Sequence, residues 1–97
     1  MRLDEDEARV ILREVRKLDP QADIYLFGSR TQDELSGGDI DLLVISSHLG
    51  FSDKITLLVE IKLAIGDQKI DLLIKKPEDK LKDPFIASIL KNAVLLN

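Results

Sequence analysis

The chain has 97 residues, a formal net charge of −4 and no cysteine, and 44% of its residues are hydrophobic. This length predicts one domain over residues 1–97, built on a single core. The lack of cysteine excludes disulfides and thiolate metal sites. The negative net charge argues against direct nucleic-acid binding. No apolar run approaches the roughly 20 residues that span a bilayer. We therefore expect a cytoplasmic protein that makes no membrane contact.

The N-terminal segment has the pattern of an amphipathic helix over residues 4–18. Asp4 is a candidate N-cap with Glu7 three residues later, and Asp19-Pro20 ends the pattern. Four apolar residues recur at helical spacing, namely Ala8, Ile11, Val15 and Leu18. A stripe of this kind predicts a helix that packs on the core.

A strand followed by a glycine comes next. Residues 22–27 alternate between apolar and more polar positions, and Gly28-Ser29 breaks this pattern before a short predicted helix. Glycine lets a ligand approach the backbone, and Ser29 offers a hydroxyl at a helix N-terminus, where free amide groups attract anions. We therefore predict that Gly28 and Ser29, with charge from Arg30, bind the phosphates of a nucleotide.

Three aspartates lie on two short apolar segments. Asp39 and Asp41 open a predicted buried strand whose apolar run is 42–45, and Asp71 interrupts the apolar run 70–74. Residues two apart on a strand point to the same face, about 6.6 Å apart, and carboxylates at the mouth of an apolar strand need a partner. If the two strands are neighbours, the three carboxylates suit divalent metal, above all Mg²⁺. Together with the phosphate-binding segment, they predict a site for a metal-bound nucleoside triphosphate.

The C-terminal half predicts a crossover and a final helix. A helix from about 53 to 65, capped by Ser52 and ended by Gly66, lies between the two aspartate-bearing strands, and this order favours a parallel pair. We expect five of its residues to cover the sheet, namely Ile55, Leu58, Val59, Leu63 and Ile65. Asp83-Pro84 opens the last helix, with a predicted buried face of Phe85, Ile86, Ile89 and Leu90. Residues 77–83 are expected to be charged and exposed, and 93–96 to form an edge strand or a partner surface.

Gly28-Ser29-Arg30, then Asp39-Ile40-Asp41 and a later Asp71, resemble the DNA polymerase beta-like nucleotidyltransferase superfamily. The short length resembles its minimal nucleotidyltransferases, which often pair with a separate helical protein. One departure is Thr31-Gln32-Asp33-Glu34, where members often carry an Arg-Gly pair. The resemblance implies an α/β (α+β) fold with a small central mixed sheet of three to four strands flanked by helices.

The same resemblance implies a function. It is a Mg²⁺-dependent transfer of a nucleoside monophosphate, AMP from ATP, to a hydroxyl group, with two Mg²⁺ ions held by Asp39, Asp41 and Asp71. Relatives in toxin–antitoxin pairs modify a HEPN-type helical protein, so we expect the chain to be an antitoxin with a HEPN-type or substrate-binding partner. The alternatives are a non-catalytic nucleotide-binding or antitoxin module that acts by covering its partner, and a metal-stabilised structural domain. The sequence also allows the chain to form a homo-oligomer.

Overall fold

The computed structural model describes residues 4–28, 40–66 and 68–97. In chain order, the elements in these ranges are α1 (Glu5–Leu18), β1 (Asp23–Phe27), β2 (Ile40–Ile45), α2 (Phe51–Ile65), β3 (Ile70–Lys75), α3 (Asp79–Lys82), α4 (Pro84–Leu90) and β4 (Val94–Leu95). The strands form one sheet in the order β3-β2-β1-β4. β2 and β3 are parallel, whereas β1 is antiparallel to both β2 and β4. The predicted small mixed sheet flanked by helices is therefore confirmed.

The two faces of the sheet are covered differently. The first face carries Ile40, Leu42 and Val44 of β2, which are fully buried under α1 and α2. The second face carries Leu43 and Ile45, which pack with Ile86 of α4. This alternation follows from the two-residue period of a strand, which sends neighbouring side chains to opposite faces. Asp41 belongs to the second face, because it has the same parity as Leu43 and Ile45.

Helix α1 begins where its capping residues predict. The backbone N–H of Asp6 donates to the Asp4 carboxylate at 3.2 Å, and the N–H of Asp4 donates to the Glu7 carboxylate at 3.2 Å. This reciprocal pair satisfies amide groups that have no partner inside the helix. Ile11 and Val15 are fully buried, whereas Leu18 is 40% exposed at the end of the predicted stripe.

The prediction for α2 is wrong in its start and in its buried face. The helix begins at Phe51 with Gly50 as N-cap, whose N–H donates to the Asp53 carboxylate at 2.8 Å, so Ser52 lies inside the helix. Its fully buried residues are Leu57 and Ile61. Three residues expected to cover the sheet are instead about half exposed or more, namely Ile55, Val59 and Leu63. Apolar residues occur around most of this helix, so their periodicity does not show which face is buried. Packing on the sheet selects the buried face.

The C-terminal segment covers part of the second face. Asp83 accepts the Phe85 N–H at 3.0 Å, which confirms the predicted cap with Pro84 in the first turn. Ile86 is fully buried, but Phe85 is 60% exposed, contrary to prediction. The charged stretch before α4 contains the short helix α3, and β4 is a two-residue edge strand on β1. None of the described helices is both long and apolar enough to cross a membrane.

Candidate active site

Two of the predicted aspartates lie side by side on the sheet. Asp41 of β2 is directly opposite Asp71 of β3 in the parallel register. Neighbouring strands are about 4.8 Å apart, and equivalent positions on adjacent strands place their side chains on the same face. Asp41 is half-buried and Asp71 is exposed. Both carboxylates would attract a cation placed between them, because like charges in adjacent positions repel each other and are screened by positive charge.

Gly28 packs against one member of this pair, the Asp41 carboxylate. It follows Phe27, which is opposite Asp41 in the antiparallel register of β1 and β2. Its φ of 76° lies in the left-handed region, and a Cβ atom built on it would overlap the Asp41 carboxylate, with the Asp41 Cγ at only 3.1 Å. Any larger residue there would push the carboxylate away. Sequence reasoning assigned Gly28 to phosphate and missed this contact, which requires the strand pairing to be known.

The carboxylate pair lies at an open part of the second face. Leu43 and Ile45, further along β2, are buried beside α4, whereas Asp71 at the start of β3 is exposed to solvent. A substrate can therefore approach the carboxylates from this side. A cavity of about 290 Å³ lies elsewhere, at the other end of the strands, where its lining includes Leu73, Lys75 and Phe51.

Three predicted site residues, Ser29, Arg30 and Asp39, lie outside the described residues, so their placement stays a prediction. Within the described ranges no group of three or more His, Cys, Asp or Glu side chains is positioned to hold a metal ion. The described part of the predicted triad is the pair Asp41 and Asp71. Its donors are carboxylate oxygens, which are the ligand type that Mg²⁺ prefers, so the residues fit the ion in chemistry.

A buried carboxylate that sequence reasoning did not single out lies away from this pair. Asp19, only 4% exposed, accepts the hydroxyl of Ser46 at 2.5 Å and the N–H of Gln21 at 3.0 Å. The hydrogen bond from Ser46 is the main cause that lowers the pKa of Asp19. The Ser46 hydroxyl oxygen also accepts the N–H groups of His48 and Leu49, at 3.1 Å each. This network joins the end of α1 to the end of β2 and is structural.

Solved structures of other proteins have the same fold as this chain. A chain in a mutant MntA–HpeT toxin–antitoxin complex matches with a TM-score of 0.70 and 21% identity, over 98% of this chain and 73% of that one. A chain in the complex of a tri-AMPylated Shewanella oneidensis HEPN toxin with the MNT antitoxin matches with a TM-score of 0.68 and 21% identity, over 98% and 72% of the two chains. The fold is thus that of the polymerase beta-like nucleotidyltransferases. No curated protein sequence matches the chain.

A family model covers almost the whole chain. The model described as a nucleotidyltransferase domain matches residues 8–96. This range contains Gly28, Asp41 and Asp71, the described residues of the candidate site. The chain therefore belongs to the nucleotidyltransferase domain family.

Proposed function

We propose that this nucleotidyltransferase domain transfers AMP from ATP to a hydroxyl group on a partner protein, in a Mg²⁺-dependent reaction. The observation that carries the proposal is the pair of carboxylates, Asp41 and Asp71, in register on neighbouring parallel strands at an open part of the sheet. Like charges directly opposite each other on neighbouring strands are destabilising. A site that binds a cation and a polyphosphate accounts for their position.

The residues of the chain take separate roles in this reaction. Asp39 and Asp41 would hold Mg²⁺, with Asp71 on the acceptor side, and the chemistry supplied by the ion would be positive charge to neutralise the triphosphate. The acceptor oxygen attacks the α-phosphorus, the bond from that phosphorus to the bridging oxygen of the β-phosphate breaks, and pyrophosphate leaves. Asp71 takes the proton of the acceptor hydroxyl. Ser29 and the backbone near Gly28 hold the β- and γ-phosphates, and Arg30 adds positive charge there.

The proposed acceptor is a HEPN-type helical protein, and the chain would act as its antitoxin. The comparison with solved structures supports this choice. The two structures described above are toxin–antitoxin complexes, and one of them contains an AMPylated HEPN toxin.

The test is AMP transfer to the product of the neighbouring gene. The chain, Mg²⁺, labelled ATP and that protein are incubated together, and added AMP is measured by mass spectrometry. We expect one or more AMP units on the acceptor, and a loss of at least about 100-fold in rate for Asp41→Asn or Asp71→Asn, because each removes a carboxylate from the reacting centre. Asp6→Asn is the matched control, since Asp6 is an exposed residue in the first turn of α1.

The outcome also separates catalysis from simple binding. If Asp41→Asn and Asp71→Asn transferred AMP at the rate of the Asp6→Asn control, the proposed roles of the carboxylates would be wrong. If no AMP were added, and the triple alanine variant of Asp39, Asp41 and Asp71 neutralised the partner as well as the parent does, the chain would be a binding module.

A further inference from the structure

The outer face of α2 carries a row of exposed apolar side chains. In the order in which they occur, with their exposed fractions, they are Phe51 (77%), Ile55 (49%), Val59 (51%) and Leu63 (77%). The spacing of four residues makes them one continuous row on the helix surface, here called the α2 ridge. Single exposed apolar residues are ordinary, but a continuous exposed row marks an interaction surface.

The position of the ridge argues against the acceptor protein as its occupant. α2 packs on the first face of the sheet through Leu57 and Ile61. Asp41 and Asp71 lie on the second face, so the whole thickness of the sheet separates them from the ridge. A protein docked on the ridge would hold its hydroxyl groups away from the carboxylates of the same chain. A second copy of the chain meets no such difficulty, because both carboxylate pairs would then point away from the contact.

We propose that the α2 ridge is the interface of a symmetric dimer in which the two α2 helices are parallel. Rows of residues spaced by four are inclined by about 26° to the helix axis, so two such rows align when the helices cross at about 50°. A two-fold axis brings the same patch together from both copies. Each of the four apolar side chains then lies beside its own equivalent.

The charges beside the ridge favour the parallel arrangement. Successive residues of a helix are rotated by about 100°, which places Lys54 and Lys62 along one side of the ridge and Thr56 and Glu60 along the other. In a parallel two-fold dimer each side meets the opposite side of the second copy, so Lys62 approaches Glu60 of the second copy, twice. In an antiparallel dimer each side of the ridge meets the same side of the ridge in the second copy. Lys54 would then approach Lys62 of the second copy. Opposite charges stabilise the first arrangement, and like charges oppose the second.

The size of the ridge predicts a weak dimer. One helix row from each copy buries less than the roughly 800 Å² per partner of a standard stable interface. We therefore expect a reversible monomer–dimer equilibrium that depends on protein concentration.

The first experiment is sedimentation equilibrium of the full chain from micromolar to millimolar concentration. We expect dimer formation, and an increase in its Kd of at least about 10-fold for Leu63→Glu, because this change places a charge within the apolar contact. The matched control is Leu81→Glu, the same substitution at a residue of α3 that is 95% exposed, and it should leave the Kd unchanged. A wild-type chain that stays monomeric, or equal effects of the two substitutions, would overturn the proposal.

The orientation has its own test. Lys62→Glu should weaken the parallel dimer, because it places a carboxylate against Glu60 of the second copy, and adding Glu60→Lys should restore the Kd. A stronger dimer for Lys62→Glu alone would overturn the parallel arrangement, since only the antiparallel one brings Lys54 to that position. Circular dichroism of each variant verifies that these exposed substitutions leave the fold intact.

Discussion

Replacing Gly28 by alanine tests the link between the glycine and the Asp41 carboxylate, for which we propose a catalytic role. A Cβ atom at this position overlaps the side chain of Asp41, whose Cγ would be 3.1 Å away. The carboxylate then has to move by about 1 Å, and a displacement of that size at a reacting centre lowers a rate by about 100-fold. The positive φ of 76° adds backbone strain of about 1–3 kcal/mol for a residue with a Cβ atom.

Gly66→Ala provides the matched control. Gly66 also has a positive φ, 101°, but a Cβ atom there meets nothing within 4 Å. Both variants should therefore lose about 1–3 kcal/mol of folding stability through backbone strain, or roughly 4–8 °C in melting temperature for each kcal/mol. Only Gly28→Ala should lose the catalytic geometry.

The assay measures function per folded molecule. AMP transfer to the partner protein and Mg²⁺-dependent ATP binding by isothermal titration calorimetry are both measured below the melting temperature of each variant. We expect Gly66→Ala to retain the parent values and Gly28→Ala to lose transfer by about 100-fold. Equal transfer rates for the two alanine variants would refute the reasoning, because the position of the Asp41 carboxylate would then not matter.

Three further predictions concern stability. Ser46→Ala should cost about 1–3 kcal/mol at neutral pH by removing the hydroxyl donor from buried Asp19, measured by urea unfolding with exposed Ser47→Ala as control. Folding lowers the pKa of Asp19, so this stabilisation is complete above the unfolded pKa of about 3.9 and is lost as pH falls through the lower folded value. The difference in the free energy of unfolding between Ser46→Ala and the parent should therefore become smaller in acid. A difference that does not change with pH would contradict this prediction. Ile61→Ala should cost about 2–5 kcal/mol, because it leaves a cavity under α2, whereas exposed Leu81→Ala should stay within about 0.5 kcal/mol; similar losses would mean that α2 is rotated differently on the sheet. Chelation of Mg²⁺ should abolish AMP transfer but leave the melting temperature nearly unchanged, because the buried core is apolar and lies apart from Asp41 and Asp71; a large fall would instead indicate a metal-stabilised structural domain.

Local signals in the sequence determined the ends of α1, the start of α4, the three main strands and the family, but not the start of α2. The capping pair Asp4 and Glu7 forms in the structure as its spacing predicts, because a cap involves only neighbours in the chain. The strand, helix and strand from β2 to β3 likewise form a parallel crossover, since short connections leave few other arrangements. The aspartates could be proposed as a group because a charge inside an apolar strand requires a partner wherever the strand lies.

Tertiary structure decided which residues meet across the chain. The register that sets Asp41 opposite Asp71, and Phe27 opposite Asp41, depends on hydrogen bonds between segments that are distant in sequence. The close approach of Gly28 to the Asp41 carboxylate follows from that register. The rotation of α2 was also undetermined by its sequence, because apolar residues surround the helix and only packing could select Leu57 and Ile61. Packing on the sheet buried Leu57 and Ile61 and left the α2 ridge exposed. The local sequence pattern does not show which face is exposed, because burial depends on how the layers assemble.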